Sequence, residues 1–266
     1  MSYLSGQVFE NYSSYNLERL LGTKPEKESS KAVVEIMLPM MNNGSTILEV
    51  GCSSGHLLRT LSKKEKDLNY VGVDIDQYAI SKGNAELNRI ELKGIKSAQL
   101  IEAEITELPF KNKSFDIVIS LNVLEHLNEP SRAMRELLRC SNKYLIIRTL
   151  VSDQTFIVKE VRNSDHKNLG YSHLDLPSPA DELDEFGEPK VFIYQNVYSK
   201  ALLSHILEAE EGIFKWQIIE DIMYDQNAFD LDNSMSNLPR ATKVINGKQV
   251  RGLFIDTNYW IVIEKV

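Results

Sequence analysis

The stretch ILEVGCSSGHLL, residues 47–58, decides the fold. Ile47, Leu48, Glu49 and Val50 read as a short strand that runs into a glycine. Gly51-Cys52-Ser53-Ser54-Gly55 then sets small residues between two glycines, and Leu57, Leu58 and Leu61 follow at helical spacing. A strand–turn–helix unit with glycines in its turn lets a ligand approach the backbone, and the helix start offers free N–H groups. In a doubly wound sheet that ligand lies at the carboxyl ends of the strands. Asp74 ends the next strand, where such a fold places an acid to accept from ribose hydroxyls. The structural alternative is a tightly packed turn, with Asp74 serving as a helix cap. The glycines do not follow the G-x-G-x-x-G spacing of dinucleotide-binding turns, which argues against a nicotinamide-dependent oxidoreductase.

Outward from this turn, strands and helices alternate. TILEVG, NYVGVD, SAQLIEAEI, FDIVISL and KYLIIRTL read as buried strands. GHLLRTLSKK, DQYAISKGNAELNRI with Asp76 as N-cap, and PSRAMRELLRC read as the helices between them. EKESSKAVVEIMLPMM, residues 26–41, reads as a helix before the first strand. SKALLSHILEAE, capped by Ser199, WQIIEDIM and the closing YWIVIEKV complete the pattern. The expectation is an α/β fold: a seven-stranded, doubly wound, mostly parallel sheet with helices on both faces. Residues 151–198 are too long for a plain connection and read as an inserted cap or lid. Residues 224–258 are a second insertion, in which Asn246-Gly247 signals a β-hairpin. The chain thus divides into an N-terminal helical cap segment (1–44), a ligand-binding core (45–150), the cap (151–198) and a C-terminal part of the core (199–266).

Composition narrows the partners. The 266 residues carry a net charge of −8, with 42% hydrophobic and 26% charged residues, as in an ordinary globular protein. An acidic chain repels phosphate backbones, so nucleic acid is disfavoured. No apolar run reaches the roughly 18 residues of a membrane span, and the N-terminus lacks the pattern of a signal peptide. Cys52 and Cys140 fall in the turn and in a helix, which fits free thiols and a cytoplasmic location. Oligomeric state is not addressed by the sequence.

Four segments carry a resemblance: ILEVGCSSG, YVGVDID, AEITELPFKNKSFDIVIS and LNVLEHLNEP. In this order and spacing they resemble the motifs of the class I S-adenosylmethionine-dependent methyltransferases. The resemblance implies S-adenosylmethionine as cofactor and S-adenosylhomocysteine as product. It implies that Glu49 lies near the methionine moiety, and that Gly51, Cys52, Ser53 and Gly55 form the turn around it. Asp74 would hold the ribose, Ile75 would pack on the adenine ring, Ile105 would offer the ring its backbone N–H, Glu104 would lie beside the adenine amino group, and Leu121 would lie near the sulfonium. Ser53 stands where the family often has a third glycine, and Glu104 replaces the commoner Asp. Tyr12 and Tyr15 either close over the cofactor, as N-terminal tyrosines do in several small-molecule methyltransferases, or cover apolar surface.

The expected activity is methyl transfer to a small-molecule, glycan or secondary-metabolite acceptor, on oxygen or nitrogen. His126 is the candidate base, since it follows the fourth strand; the alternative is a structural histidine. NVLEH also resembles the Glu-x-x-Glu-His segment of metal-dependent O-methyltransferases. Glu125 and His126 match it, with His166 or His173 as distant ligands, but Asn122 replaces the first carboxylate. No metal is expected on that ground. A non-catalytic module that binds S-adenosylmethionine is the remaining alternative.

Overall fold

The computed structural model describes residues 6–161, 185–186, 192–210, 214–221, 242–245, 248–251, 254–256 and 258–265. Two helices, α1 (Gly6–Leu21) and α2 (Glu28–Met37), precede β1 (Thr46–Val50). Then α3 (Leu57–Ser62), β2 (Leu68–Asp74), α4 (Gln77–Leu87), β3 (Ile95–Glu102) and β4 (Phe115–Leu121) alternate as the apolar runs require. Asp76 caps α4, its carboxylate accepting from Ala79 N at 3.1 Å. A short 3₁₀ turn, Leu124–His126, leads into α5 (Pro130–Cys140), where proline occupies the first turn and needs no donor. There follow β5 (Ser141–Ser152), β6 (Lys159–Val161), β7 (Phe192–Tyr194), β8 (Tyr198–Ser199), α6 (Lys200–Glu208) and β9 (Phe214–Glu220). The strands β10 (Thr242–Ile245), β11 (Lys248–Arg251), β12 (Phe254–Asp256) and β13 (Asn258–Lys265) close the chain.

The main sheet runs β3-β2-β1-β4-β5-β13-β9. Neighbours from β3 to β5 are parallel, while β13 lies antiparallel between β5 and β9. The seven strands are those read from the sequence, and β8 adds a two-residue parallel bridge to the end of β5. Alternation along each strand sends successive side chains to opposite faces. Ile47, Ile117 and Ile119 face a core with Val33 and Met37 of α2 and Leu57 and Leu61 of α3. Leu48, Val118 and Leu145 face the other core, with Met134 and Leu137 of α5 and Leu203 and Leu207 of α6.

Two details depart from the reading above. The first helix of the 26–41 segment is shorter, Glu28–Met37, and Met40 and Met41 continue it only as a turn onto the Met37 carbonyl. The third strand stops at Glu102, so Glu104 and Ile105 lie in a turn. Ala103 N still reaches Asp74 O at 3.1 Å, after which the chain folds back with Glu107 N on Glu104 O. Of the inserted cap, β6 and β7 pair antiparallel, and Phe156 and Val197 exchange backbone hydrogen bonds of 2.8 and 2.9 Å. Residues 162–184 and 222–241 lie outside the described residues. So do Asn246 and Gly247, but Ile245 faces Lys248 in the β10–β11 pair, leaving the two-residue connection that Asn-Gly signals.

Candidate active site

The turn after β1 is held from three sides. Gly51 N and Cys52 N both donate to Val73 O of β2, at 2.7 and 3.0 Å. Gly51 has φ +86°, and a Cβ there would lie 2.2 Å from Val123 Cγ2 of the loop after β4. The glycine is thus required twice, by its left-handed backbone and by the side chain crossing over it. Ser53 also has positive φ, +51°. Its N–H donates to Asp74 Oδ2 at 2.7 Å, while Asp74 Oδ1 accepts from Asp76 N at 2.9 Å. The Asp74 carboxylate therefore joins the glycine turn to the β2–α4 turn. Burial pushes its pKa above the ordinary range, against the pull of these backbone donors.

Beneath the turn, Glu49 is 2% exposed and accepts from the Tyr70 hydroxyl of β2. Burial raises its pKa to about 8, opposed by the Tyr70 hydrogen bond and by the Lys27 ammonium. The carboxyl is thus mostly protonated at neutral pH. Burial likewise pushes the Tyr70 phenol and the Cys52 thiol well up. A cation placed beside Glu49 would draw its proton off and gain a buried counter-charge. The ammonium and sulfonium of S-adenosylmethionine are such cations, so the residues present fit that group.

The other expected contacts divide. Ile75 is 37% exposed at the end of β2, open to a stacking partner. Leu121 ends β4, half-buried. Glu104 is half-buried and accepts weakly from Thr106 Oγ1 at 3.4 Å, while Ile105 is packed into the core. Tyr12 lies on α1 and its side chain is outside the described residues. The ring of Tyr15 is taken up by cations, with Lys24 Nζ at 3.6 Å and Arg19 Cζ at 3.9 Å from its centroid. Among the described residues of α1, Asn16 sends its side chain to Ser53 of the glycine turn, while Ser13 sends its hydroxyl to Asp76 and its backbone carbonyl accepts from Ser54. Neither was singled out in the sequence, because both are polar residues on a buried helix face and leave no hydrophobic signal.

In the loop after β4, His126 Nδ1 meets the Tyr194 carbonyl at 2.8 Å. A carbonyl can only accept, so Nδ1 carries the hydrogen, and in the neutral ring Nε2 is the acceptor. The ring is solvent-exposed. Glu125 points inward, accepting from Thr149 Oγ1 at 3.0 Å, and burial raises its pKa. Asn122, with φ +56°, accepts from Arg148 Nη1 at 2.5 Å, and Arg148 is paired to Asp221 at 2.8 Å. The loop is further held by Tyr198, whose hydroxyl donates to Leu124 O at 2.7 Å, and by Asn196 N on Glu125 O at 2.8 Å. These two belong to FIYQNVYS, whose mixture of aromatic and polar residues was the available signal. His166 and His173 lie outside the described residues. Among the described residues no group of three His, Cys, Asp or Glu is placed to hold an ion. No described helix is long and apolar enough to cross a membrane.

Residues 48–144 match the methyltransferase domain family. The chain is 30% identical over 188 residues to an uncharacterized protein of Methanocaldococcus jannaschii, spanning 70% of this chain and 73% of that one. It is 25% identical over 246 residues to an uncharacterized methyltransferase of Schizosaccharomyces pombe, spanning 86% and 87%. Among solved structures, a SAM-dependent methyltransferase from Methanosarcina mazei superimposes with a TM-score of 0.53 at 15% identity, covering 87% of this chain and 97% of that one. At that identity the superposition speaks for the fold.

Proposed function

We propose that this chain, which belongs to the class I S-adenosylmethionine-dependent methyltransferases and uses S-adenosylmethionine as methyl donor, methylates an oxygen or nitrogen of a small molecule, glycan or secondary-metabolite precursor. The observation that carries the acceptor assignment is the His126 ring, held by Nδ1 on the Tyr194 carbonyl with Nε2 left as a proton acceptor. When bound, the cofactor supplies a methyl group already activated on sulfur. The protein has to hold the acceptor in line and exclude water, a proximity effect. Its remaining task is the proton: as an O–H or N–H acceptor takes the methyl group, its proton passes to His126 Nε2.

Arg148 argues against a metal-assisted variant of this reaction. Its guanidinium holds Asn122, at the place where metal-dependent relatives would need a carboxylate, and a divalent ion there would face a fixed cation. The long insertions, 151–198 and 224–258, supply the acceptor pocket in this reading, and the net charge of −8 disfavours a nucleic-acid acceptor.

The test follows the label from methyl-tritiated cofactor into small-metabolite, glycan, RNA and protein fractions, with and without EDTA. Transfer to a small molecule or glycan, unaffected by EDTA, is expected. His126→Ala should lower kcat by about a hundredfold while S-adenosylhomocysteine binding stays within a factor of about two. Labelled RNA or protein, or activity that EDTA abolishes and magnesium restores, would refute the assignment. A His126→Ala enzyme at full rate would remove the histidine from proton transfer.

A further inference from the structure

Helix α1 is fastened over the glycine turn by polar side chains. Ser13 Oγ donates to Asp76 Oδ2, and Ser54 Oγ donates to the Ser13 carbonyl at 2.9 Å. One helical turn on, Asn16 is 0% exposed and its Nδ2 donates to Ser53 Oγ at 3.0 Å. This gives the departure at residue 53 a physical reason: a glycine there would offer Asn16 no hydroxyl. The other half of the amide is unmatched. Asn16 Oδ1 is buried and has no hydrogen-bond partner among the described residues. Buried carbonyls without a donor are rare and call for an explanation, of which a ligand group is one.

We propose that Asn16 is a cofactor-binding residue whose side-chain carbonyl accepts a hydrogen bond from the ammonium group of the cofactor's methionine moiety. A carbonyl only accepts, so the ligand must bring a donor there. The cofactor carries donors of three kinds: ribose hydroxyls, the adenine amine and the ammonium. The first two belong to the end of the site marked by Asp74, Ile75 and Glu104. Along α1 the chain leaves that end, from Ser13 at Asp76 through Asn16 to Arg19. Asn16 thus stands on Ser53 of the glycine turn, one helical turn along α1 from the contact of Ser13 with Asp76. With the ribose hydroxyls and the adenine amine assigned to Asp74, Ile75 and Glu104, the ammonium is the donor that remains for Asn16. The inference rests on the methyltransferase reading.

The experiment compares two ligands by calorimetry. S-Adenosylhomocysteine carries the amino-acid end, and 5′-methylthioadenosine has the same nucleoside and sulfur without it. Asn16→Ala should weaken S-adenosylhomocysteine binding about tenfold or more, as expected for a hydrogen bond to a charged group. Binding of 5′-methylthioadenosine should change less than about twofold, because it never reaches Asn16. Asn16→Asp keeps the acceptor oxygen and should hold S-adenosylhomocysteine within about threefold of wild type. If Asn16→Ala does not fold, Asn16→Ser, too short to reach the ligand, is read in the same way. Equal losses for both ligands would show that Asn16 acts only by bracing Ser53, and unchanged binding of both would remove it from the site. Loss in Asn16→Asp as large as in Asn16→Ala would also overturn the proposal. A wild-type chain that binds neither ligand would instead count against the methyltransferase reading.

Discussion

Replacing Asp74 with alanine tests two duties of the carboxylate, the proposed hold on the ribose and the bridge between two turns. The ribose role implied by the family motif predicts a loss of cofactor affinity. The geometry adds a second cost, because Ser53 N at 2.7 Å and Asp76 N at 2.9 Å both lose their acceptor. Hydrogen bonds to a charged group contribute about 1.5–3 kcal/mol each. Part of that is offset, since burial holds the Asp74 carboxyl above its ordinary pKa and its removal relieves desolvation. We expect a net destabilisation of about 1–3 kcal/mol, or roughly 3–10 °C in Tm for a domain of this size. S-Adenosylhomocysteine affinity should fall about ten- to a hundredfold, equivalent to about 1.4–2.7 kcal/mol. Asp74→Asn is the control. Its one carbonyl can serve Ser53 or Asp76 more readily than both, so stability should rank Asp, Asn, Ala. Calorimetry measures the affinity and thermal unfolding the stability. An alanine variant that melts with wild type refutes the bridging role, and one that binds S-adenosylhomocysteine with wild-type affinity refutes the ribose role.

The remaining predictions concern the floor and the neck of the same turn. Between its ordinary 4.5 and the folded value of about 8, Glu49 keeps its proton in the folded chain and has lost it in the unfolded one. Its contribution to stability is therefore fully present below pH 4.5 and is lost as pH rises through about 8, so Tm should fall across this window without ligand. Glu49→Gln keeps an acceptor for Tyr70 but does not titrate; it should flatten that slope in a fluorescence melt from acid to mildly alkaline pH, and a slope unchanged from wild type would assign it to another group. Gly51→Ala should destabilise by about 2 kcal/mol or more, from the left-handed backbone and from Val123. Adding Val123→Ala should restore only the steric part in urea denaturation, and full recovery would show that the backbone is unstrained.

The sheet was legible because its strands are apolar throughout and its helices begin with recognisable signals. FDIVISL coincides with β4, and PSRAMRELLRC with α5, where Pro130 fixes the start. The third strand was read too long because Ala103 and Ile105 continue the apolar pattern while the backbone has already left the ladder. The turn residues Gly51, Gly55 and Asp74 declared themselves by type and spacing. Their partners did not. Ser13 and Asn16 bury oxygen and nitrogen on a face where periodicity looks for carbon, and Thr149, Asn196 and Tyr198 meet Glu125 or its loop across long sequence separations. Tyr15 has the residue type of a cofactor-covering group, but Lys24 and Arg19, close to it in sequence, compete for its ring.

The antiparallel placement of β13 between β5 and β9 also bears on how the chain folds and how its insertions can vary. On the ribosome β9 is made before β13 and, within this sheet, must wait for it, because β13 joins β9 to the strands already formed. Pairing Asn258 with Leu150 closes a loop of more than a hundred residues, which favours slow completion of the sheet after its parallel half has assembled. Both insertions lie inside that loop. Closure entropy grows only with the logarithm of loop length, so doubling a flexible loop costs about 0.6 kcal/mol. The two insertions can therefore lengthen or shorten while the parallel half of the sheet keeps its register.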